Sequence, residues 1–560
     1  MSADQEDAEP GSEDYLEQQR RLRKLAEAFE NDKIRFAPHL ADGVRESLAK
    51  MRYLPNGDVD LSTVDARVRS LAFATTAISD RLEIKDRNPL REIQRLYFEH
   101  VERNFGPYHE VAVRRGLTPH HAGRAVSEGS QGARDEITKV APKFLESIKQ
   151  LWSYVNVPCC YHLEDLNCLK GIFGGDILPS NETNIASSCG LYLDTILLPD
   201  PFLRMGPLLM RWNDRDRAYY FVKHAMNLLN YKELALAEVS PPIVAVVPDG
   251  LFYDEYQSKL VMRLGAQDGL VHASALFGRD FADSSELAEF ASTLVTAQDV
   301  VEKIAVPERL LFDTEWTGTL VEQIERFQTG QMARVGINLP VGESIALQCS
   351  SRMTQANDVL LRSQQFRGVP LIDAPTSWRY FAWKLEYDNR AANGFDSAST
   401  QIISGLQSAA GGEMRWLGKV PPEALIELRK SGAIHEIRDI LRKGVADLSE
   451  MTEVAFSEGA SRVVGNLRSA FEMHEQAIEN IRQKGWSFAK KDVGSWLAIG
   501  TVEVAAVATG LPLFGLGAFL ANQFFDMPKL KELIPTAKAL KKEMDEQKRS
   551  PVGLIFSHKA

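Results

Sequence analysis

The sequence predicts an α-rich, multi-domain chain: helices with a central α/β domain holding a small sheet, then a C-terminal long helix with coiled-coil spacing and an apolar helical hairpin. Three observations lead there. At 560 residues the chain exceeds one compact core, and ~150 residues per domain suggests three or four domains. Helical apolar spacing dominates, whereas short β-branched runs bounded by Gly or Pro occur only in the middle third. Residues 492–526 form a long apolar run flanked by lysines.

The expected boundaries are a disordered acidic tail over 1–15, an N-terminal helical domain over 16–155 and a central α/β domain over 156–415. A long-helix region over 416–491, the apolar hairpin over 492–526 and a basic amphipathic tail over 527–560 complete the chain. The first 19 residues carry seven acids and no Lys or Arg, a composition that resists folding. In the N-terminal domain, Asn88-Pro89 reads as a helix start before the stripe Ile93, Leu96, Tyr97, His100 and Val101. Ser62 reads as the opening of another helix, Ser127 to Ala133 as a polar loop, and His120-His121 as part of a loop after Thr118-Pro119.

Gly190 to Leu198 and Pro242 to Pro248 have the composition of buried strands, with helical spacing from Tyr219 to Leu236 between them. Strand, helix, strand is a βαβ unit, which Val369 to Asp373 extends. Helical patterns at 284–304 and 314–328 make this domain α/β with helix in excess.

Further on, Ala460, Val464, Leu467, Phe471, His474, Ile478 and Ile481 alternate steps of four and three, the seam of a coiled coil. This predicts a partner, or a second copy of the chain, along 460–481. Between Val493 and Phe525 the only charged residue is Glu503, and Gly510-Leu511-Pro512 splits the run into halves of about 24 Å if helical. That is short of the ~30 Å hydrocarbon core. Lys484, Lys490, Lys491, Lys529 and Lys531 flank the run, and the tail after it has eight Lys or Arg against four acids. In general layout the arrangement resembles the pore-forming domains of bacterial toxins such as colicins. The first expectation is a buried helical pair packed through Gly500, Gly510, Gly515 and Gly517, the second conditional membrane contact, the third a permanent span. Trp496, Leu497, Leu511, Phe514, Leu516, Phe519 and Phe524 are its candidate membrane or oligomer contacts.

Composition narrows function. A net charge of −11 disfavours extensive binding of duplex nucleic acid, which depends on Lys and Arg displacing counterions. No secretory pattern opens the sequence and only five cysteines are present, so the expectation is a cytoplasmic protein, peripheral at most to the inner membrane face, with free thiols.

Catalytic candidates are Asp194, Asp200 and Asp249, carboxylates at predicted strand ends that would hold a divalent metal for phosphodiester or nucleotide hydrolysis. Asp before Pro or Gly is also ordinary turn chemistry. Cys159, His162, Cys168 and Cys189 are the zinc candidates, although no Cys-x-x-Cys pair occurs and buried thiols explain them equally simply. Cys189 as a nucleophile with His162 or His224 as base has no supporting spacing. Gly412 to Lys419 has five residues between its glycines, where a phosphate-binding P-loop has four, and Gly171 to Gly175 does not match the dinucleotide fingerprint. The leading expectation is thus an interaction or effector protein without a cofactor, of a bacterial toxin-like or defence type. A metal-dependent hydrolase is the alternative.

Overall fold

The computed structural model describes residues 11–31, 38–176, 184–190, 193–209, 211–250, 254–313, 316–332, 338–372, 374–391 and 422–432. The coiled-coil seam at 460–481, the apolar run at 492–526 with its candidate contacts, and the basic tail lie outside the described residues. What is described is helix-rich with one small parallel sheet. The chain divides into two compact units, Met1–Ile93 with Val157–His162, and Gln94–Asn156 with Leu163–Ala560.

In the first unit, helix α1 (Glu13–Glu30) starts inside the expected acidic tail, because Ser12 caps it by accepting the Tyr15 N–H. Helices α2 (Pro38–Ala49) and α3 (Ala66–Arg87) follow. The helix expected to open at Ser62 opens instead at Asp65, whose carboxylate accepts the N–H groups of Arg67 and Val68. Ser62 lies in a short 3₁₀ turn, Leu61–Thr63. Tyr15, Leu22 and Leu25 from α1 pack with Val59, Leu61, Val64, Val68 and Ala72. The Gln19 amide pairs with both backbone groups of Val59, at 2.7 and 2.9 Å, so no polar group is stranded there.

Helix α4 (Leu90–Arg114) starts one residue after Pro89. On it Tyr97 and Val101 are buried as the spacing predicts, whereas Leu96 is 40% exposed. Helix α5 (Pro119–Ser127) begins at the histidine pair that reads as a loop: Thr118 caps it, and His120 Nδ1 meets the Tyr219 hydroxyl at 2.7 Å. Helix α6 (Gln131–Asp165) runs well past the expected change of character near Val157.

The sheet comprises β1 (Lys170–Phe173), β2 (Thr195–Pro199), β3 (Val244–Val247) and β4 (Val369–Leu371), all parallel, in the order β3-β2-β1-β4. Strands β1 to β3 are buried along their whole length, which explains the apolar runs of β2 and β3. The sequence reading anticipates β2, β3 and β4 but not β1, the strand between β2 and β4. Its four residues begin with Lys170 and lead into Gly174-Gly175, so they carry the marks of a loop. Lys170 is buried because its ammonium donates to the carbonyls of Leu163 and Leu166 at the end of α6.

Between β1 and β2 lies α7 (Ile185–Cys189); between β2 and β3 come α8 (Pro201–Leu209), α9 (Asp214–Leu229) and α10 (Lys232–Leu236). The passage to β4 is long: α11 (Glu255–Phe277), α12 (Ser284–Ser292), α13 (Ala297–Lys303), α14 (Leu320–Arg326) and α15 (Val341–Gln365). Helices α16 (Pro375–Ala391) and α17 (Pro422–Ser431) follow. Gly265 and Gly269 bring α11 against α15, since an added Cβ would come within 2.7 Å of the Thr354 Cα and 2.6 Å of the Ser350 Cα. Phe105, Phe144, Phe202 and Phe221 from α4, α6, α8 and α9 interlock with ring centroids 4.7–6.3 Å apart, fixing α8 behind the end of β2.

Edge strand β3 meets Gln94 of α4, whose amide accepts the Val246 N–H at 2.7 Å and donates to the Val246 carbonyl at 2.9 Å. Gln94→Leu removes both bonds at a buried site and is expected to lower the unfolding free energy by about 2–4 kcal/mol. Urea denaturation of the wild type and the variant measures this; a loss below about 0.5 kcal/mol would mean that other groups take over the pairing.

Candidate functional site

The parallel strands place their carboxyl ends on one edge, and the strand order reverses between β1 and β4. In open α/β sheets, ligands bind outside the carboxyl ends at such a reversal. Here β1 runs into Gly174, Gly175 and Asp176, β2 into Asp200, and β3 into Pro248 and Asp249.

A buried arginine joins these ends. Arg204, in the first turns of α8, is 3% exposed. Its Nε donates to Asp249 Oδ2 at 2.5 Å, Nη1 to the Asp176 carbonyl at 2.6 Å and Nη2 to Asp358 Oδ2 at 3.2 Å. Asp358 lies on α15 and receives a second bond from Nη2 of Arg362, one helical turn on. Burial pushes the Asp358 carboxyl up, and the charge of Asp249 adds to this, while Arg362 and Arg204 pull it down. Once these charges leave water they depend on one another: removing one partner of such a pair costs about 3–5 kcal/mol.

Asp200 and Asp249 therefore lie on the same edge, at the ends of neighbouring strands, but each has its own partners. Asp200 Oδ2 accepts the Trp152 Nε1–H at 2.6 Å, and Oδ1 accepts the N–H groups of Phe202 and Leu203 at 2.7 and 3.4 Å. It starts α8 in the manner of a cap, so the Asp-Pro turn chemistry noted in the sequence is part of its role. Burial pushes its carboxyl up to about 6 despite these donors.

Asp194 lies at the opposite edge. It precedes β2, so a five-residue strand, ~17 Å, separates it from Asp200. Its Oδ2 accepts the Leu169 N–H at 2.8 Å and its Oδ1 faces Arg429 of α17 at 3.1 Å. Arg429 also bonds the carbonyls of Asp194 and Pro241, closing the amino ends of β2 and β3.

Three of the four zinc candidates have side chains among the described residues. Cys159 is buried on α6, and burial pushes its thiol up. His162 Nε2 meets the Asn88 carbonyl at 2.8 Å. Cys168 Sγ lies 3.6 Å from the Thr195 hydroxyl, while the Cys189 side chain lies outside the described residues. Among the described residues no three or more His, Cys, Asp or Glu are grouped to hold a metal ion, and no helix is long and apolar enough to cross a membrane. His224 is buried, and burial first, then Lys223 and Arg204, push its imidazole well down, so it is neutral at pH 7.

Arg204, Asp358, Arg362 and the Gly174-Gly175 pair were not among the residues singled out from the sequence as site candidates. Asp358 and Arg362 at i and i+4 read as a solvated surface pair; only their position on a buried face of α15 gives them another meaning. Comparisons with family models, curated proteins and solved structures find no match for this chain.

The raised Asp200 carboxyl makes a pH signature. Between its ordinary value of 3.8 and about 6 the folded chain holds a proton that the unfolded chain has released, so this group's contribution to stability falls as pH rises from about 4 to about 6. In Asp200→Asn that contribution disappears. Denaturation at pH 4 and pH 7 should show the stability advantage of the wild type over the variant to be larger at pH 4 by about 2 kcal/mol. An equal difference at both pH values would show that Asp200 titrates in the folded chain as it does in the unfolded one.

Proposed function

We propose that the protein is an interaction or effector protein whose central α/β body takes a small polar ligand at the carboxyl edge of its sheet. Its C-terminal part, 416–560, supplies the output through self-association or membrane contact. One observation supports this most: the buried network of Arg204, Asp249, Asp358 and Arg362 runs along the carboxyl edge of the sheet, from the end of β3 to Gly174 after β1, beside the reversal of strand order. Buried charges are costly in a purely structural role, since apolar residues of similar volume often serve stability as well or better. Convergent polar groups at a sheet reversal are suited to receive a ligand.

The metal-dependent hydrolase draws less support. Asp194 is at the far edge, and Asp200 and Asp249 would have to give up Trp152 and Arg204 to bind a cation. A metal would need those oxygens free.

Two measurements test the proposal. Full-length protein, denatured and extracted, is expected to release a copurifying small molecule detectable by mass spectrometry. For the output, full-length protein should float with liposomes of anionic lipid while a version ending at Lys491 remains at the bottom. Equal recovery of both with lipid removes the membrane contact, and light scattering that gives a monomer mass removes self-association through 460–481.

A further inference from the structure

On the reading that the carboxyl edge is a ligand cleft, we infer that Arg362 anchors it and that the ligand presents an oxyanion, a phosphate or carboxylate on a small molecule. Arg362 is 2% exposed on α15. Its Nη2 serves Asp358, but its buried Nε and Nη1 meet no hydrogen-bond partner among the described residues. Those two nitrogens hold three of the five N–H donors of the guanidinium. Folded proteins rarely leave buried donors of this strength unmatched, and each such group costs about 1–3 kcal/mol or more.

The acids nearby are already engaged. Asp249 takes Arg204 Nε, and Asp358 takes Nη2 of both arginines. A guanidinium accepts nothing, so its missing partner has to be an acceptor, and forked oxyanions are the acceptors its geometry matches best. The backbone after β1 packs directly beside this guanidinium. A Cβ on Gly174 would fall 2.9 Å from Val359 Cγ2 and 3.2 Å from Arg362 Nη2, and Gly175 has φ +87°. Glycine at both positions lets the turn after β1 pass directly against Arg362, at the reversal of strand order.

Titration calorimetry and thermal unfolding of the full-length protein test this with inorganic phosphate, adenosine 5′-monophosphate, glycerol 3-phosphate and succinate. Adenosine and glycerol are the uncharged counterparts, and sodium chloride is matched throughout. At least one oxyanion should bind and raise the melting temperature by a few degrees at saturation, while its uncharged counterpart should not. Phosphate without succinate assigns a phosphoryl ligand; succinate without phosphate assigns a carboxylate. Arg362→Gln should weaken binding at least tenfold, and Arg362→Lys, which keeps charge but loses the fork, by an intermediate factor. Because a lone Asp358 threatens folding, Arg362→Gln combined with Asp358→Asn removes both charges. A folded double variant that binds as the wild type does would overturn the inference, as would the absence of binding by every oxyanion. Binding of adenosine or an uncharged copurifying molecule, with no oxyanion bound, would overturn the oxyanion alone and keep the ligand cleft.

Discussion

One desolvated cation organises the carboxyl edge of the sheet. Arg204 reaches from α8 to Asp249 after β3, to the Asp176 carbonyl after β1 and to Asp358 on α15, so a single guanidinium relates two strand ends and two helices. Each contact is worth having only because the others exist: a guanidinium taken from water repays its hydration when all its directions are used. The phenylalanine cluster behind α8 does the complementary work, fixing the helix so that Arg204 arrives where the acids are.

The two ends of the sheet thus differ in kind. At the amino end the polar groups close on themselves: Lys170 on two helix-terminal carbonyls, Asp194 on a backbone N–H and on Arg429. At the carboxyl end the network is denser, yet Arg362 is left with donors to spare. An end that satisfies itself holds the fold, and the unmatched donors at the other end are what the proposed oxyanion ligand would engage.

Much of the fold was legible because it rests on local patterns. Short apolar runs announce β2, β3 and β4, and 3.6-residue spacing announces most helices. The misses have physical reasons. Strand β1 is short and polar at its start, and its lysine is tolerated only because the end of α6 supplies carbonyls from outside the strand. Ser62 and the His120-His121 pair were misplaced because several neighbouring residues can cap a helix, and tertiary packing chooses among them. For the site, the carboxylates Asp200 and Asp249 were visible as strand-end acids, but their cation partners were not. An Asp and an Arg four apart carry the same letters on a wet helix face as in a core, and what separates the cases is long-range packing that no local window contains.

The sheet also ends deliberately on both sides. On β3 the Gln94 side chain imitates a neighbouring strand at Val246, and on β4 the middle residue is Pro370, which has no N–H to offer. Open strand edges recruit further strands, from other copies or from extended peptides. Among the described residues a side-chain amide covers one border and an imino acid interrupts the other, so neither edge offers a further strand an unbroken row of backbone groups. A helix-rich chain that carries one small parallel sheet thereby keeps the described edges of that sheet from inviting the aggregation that bare edges invite.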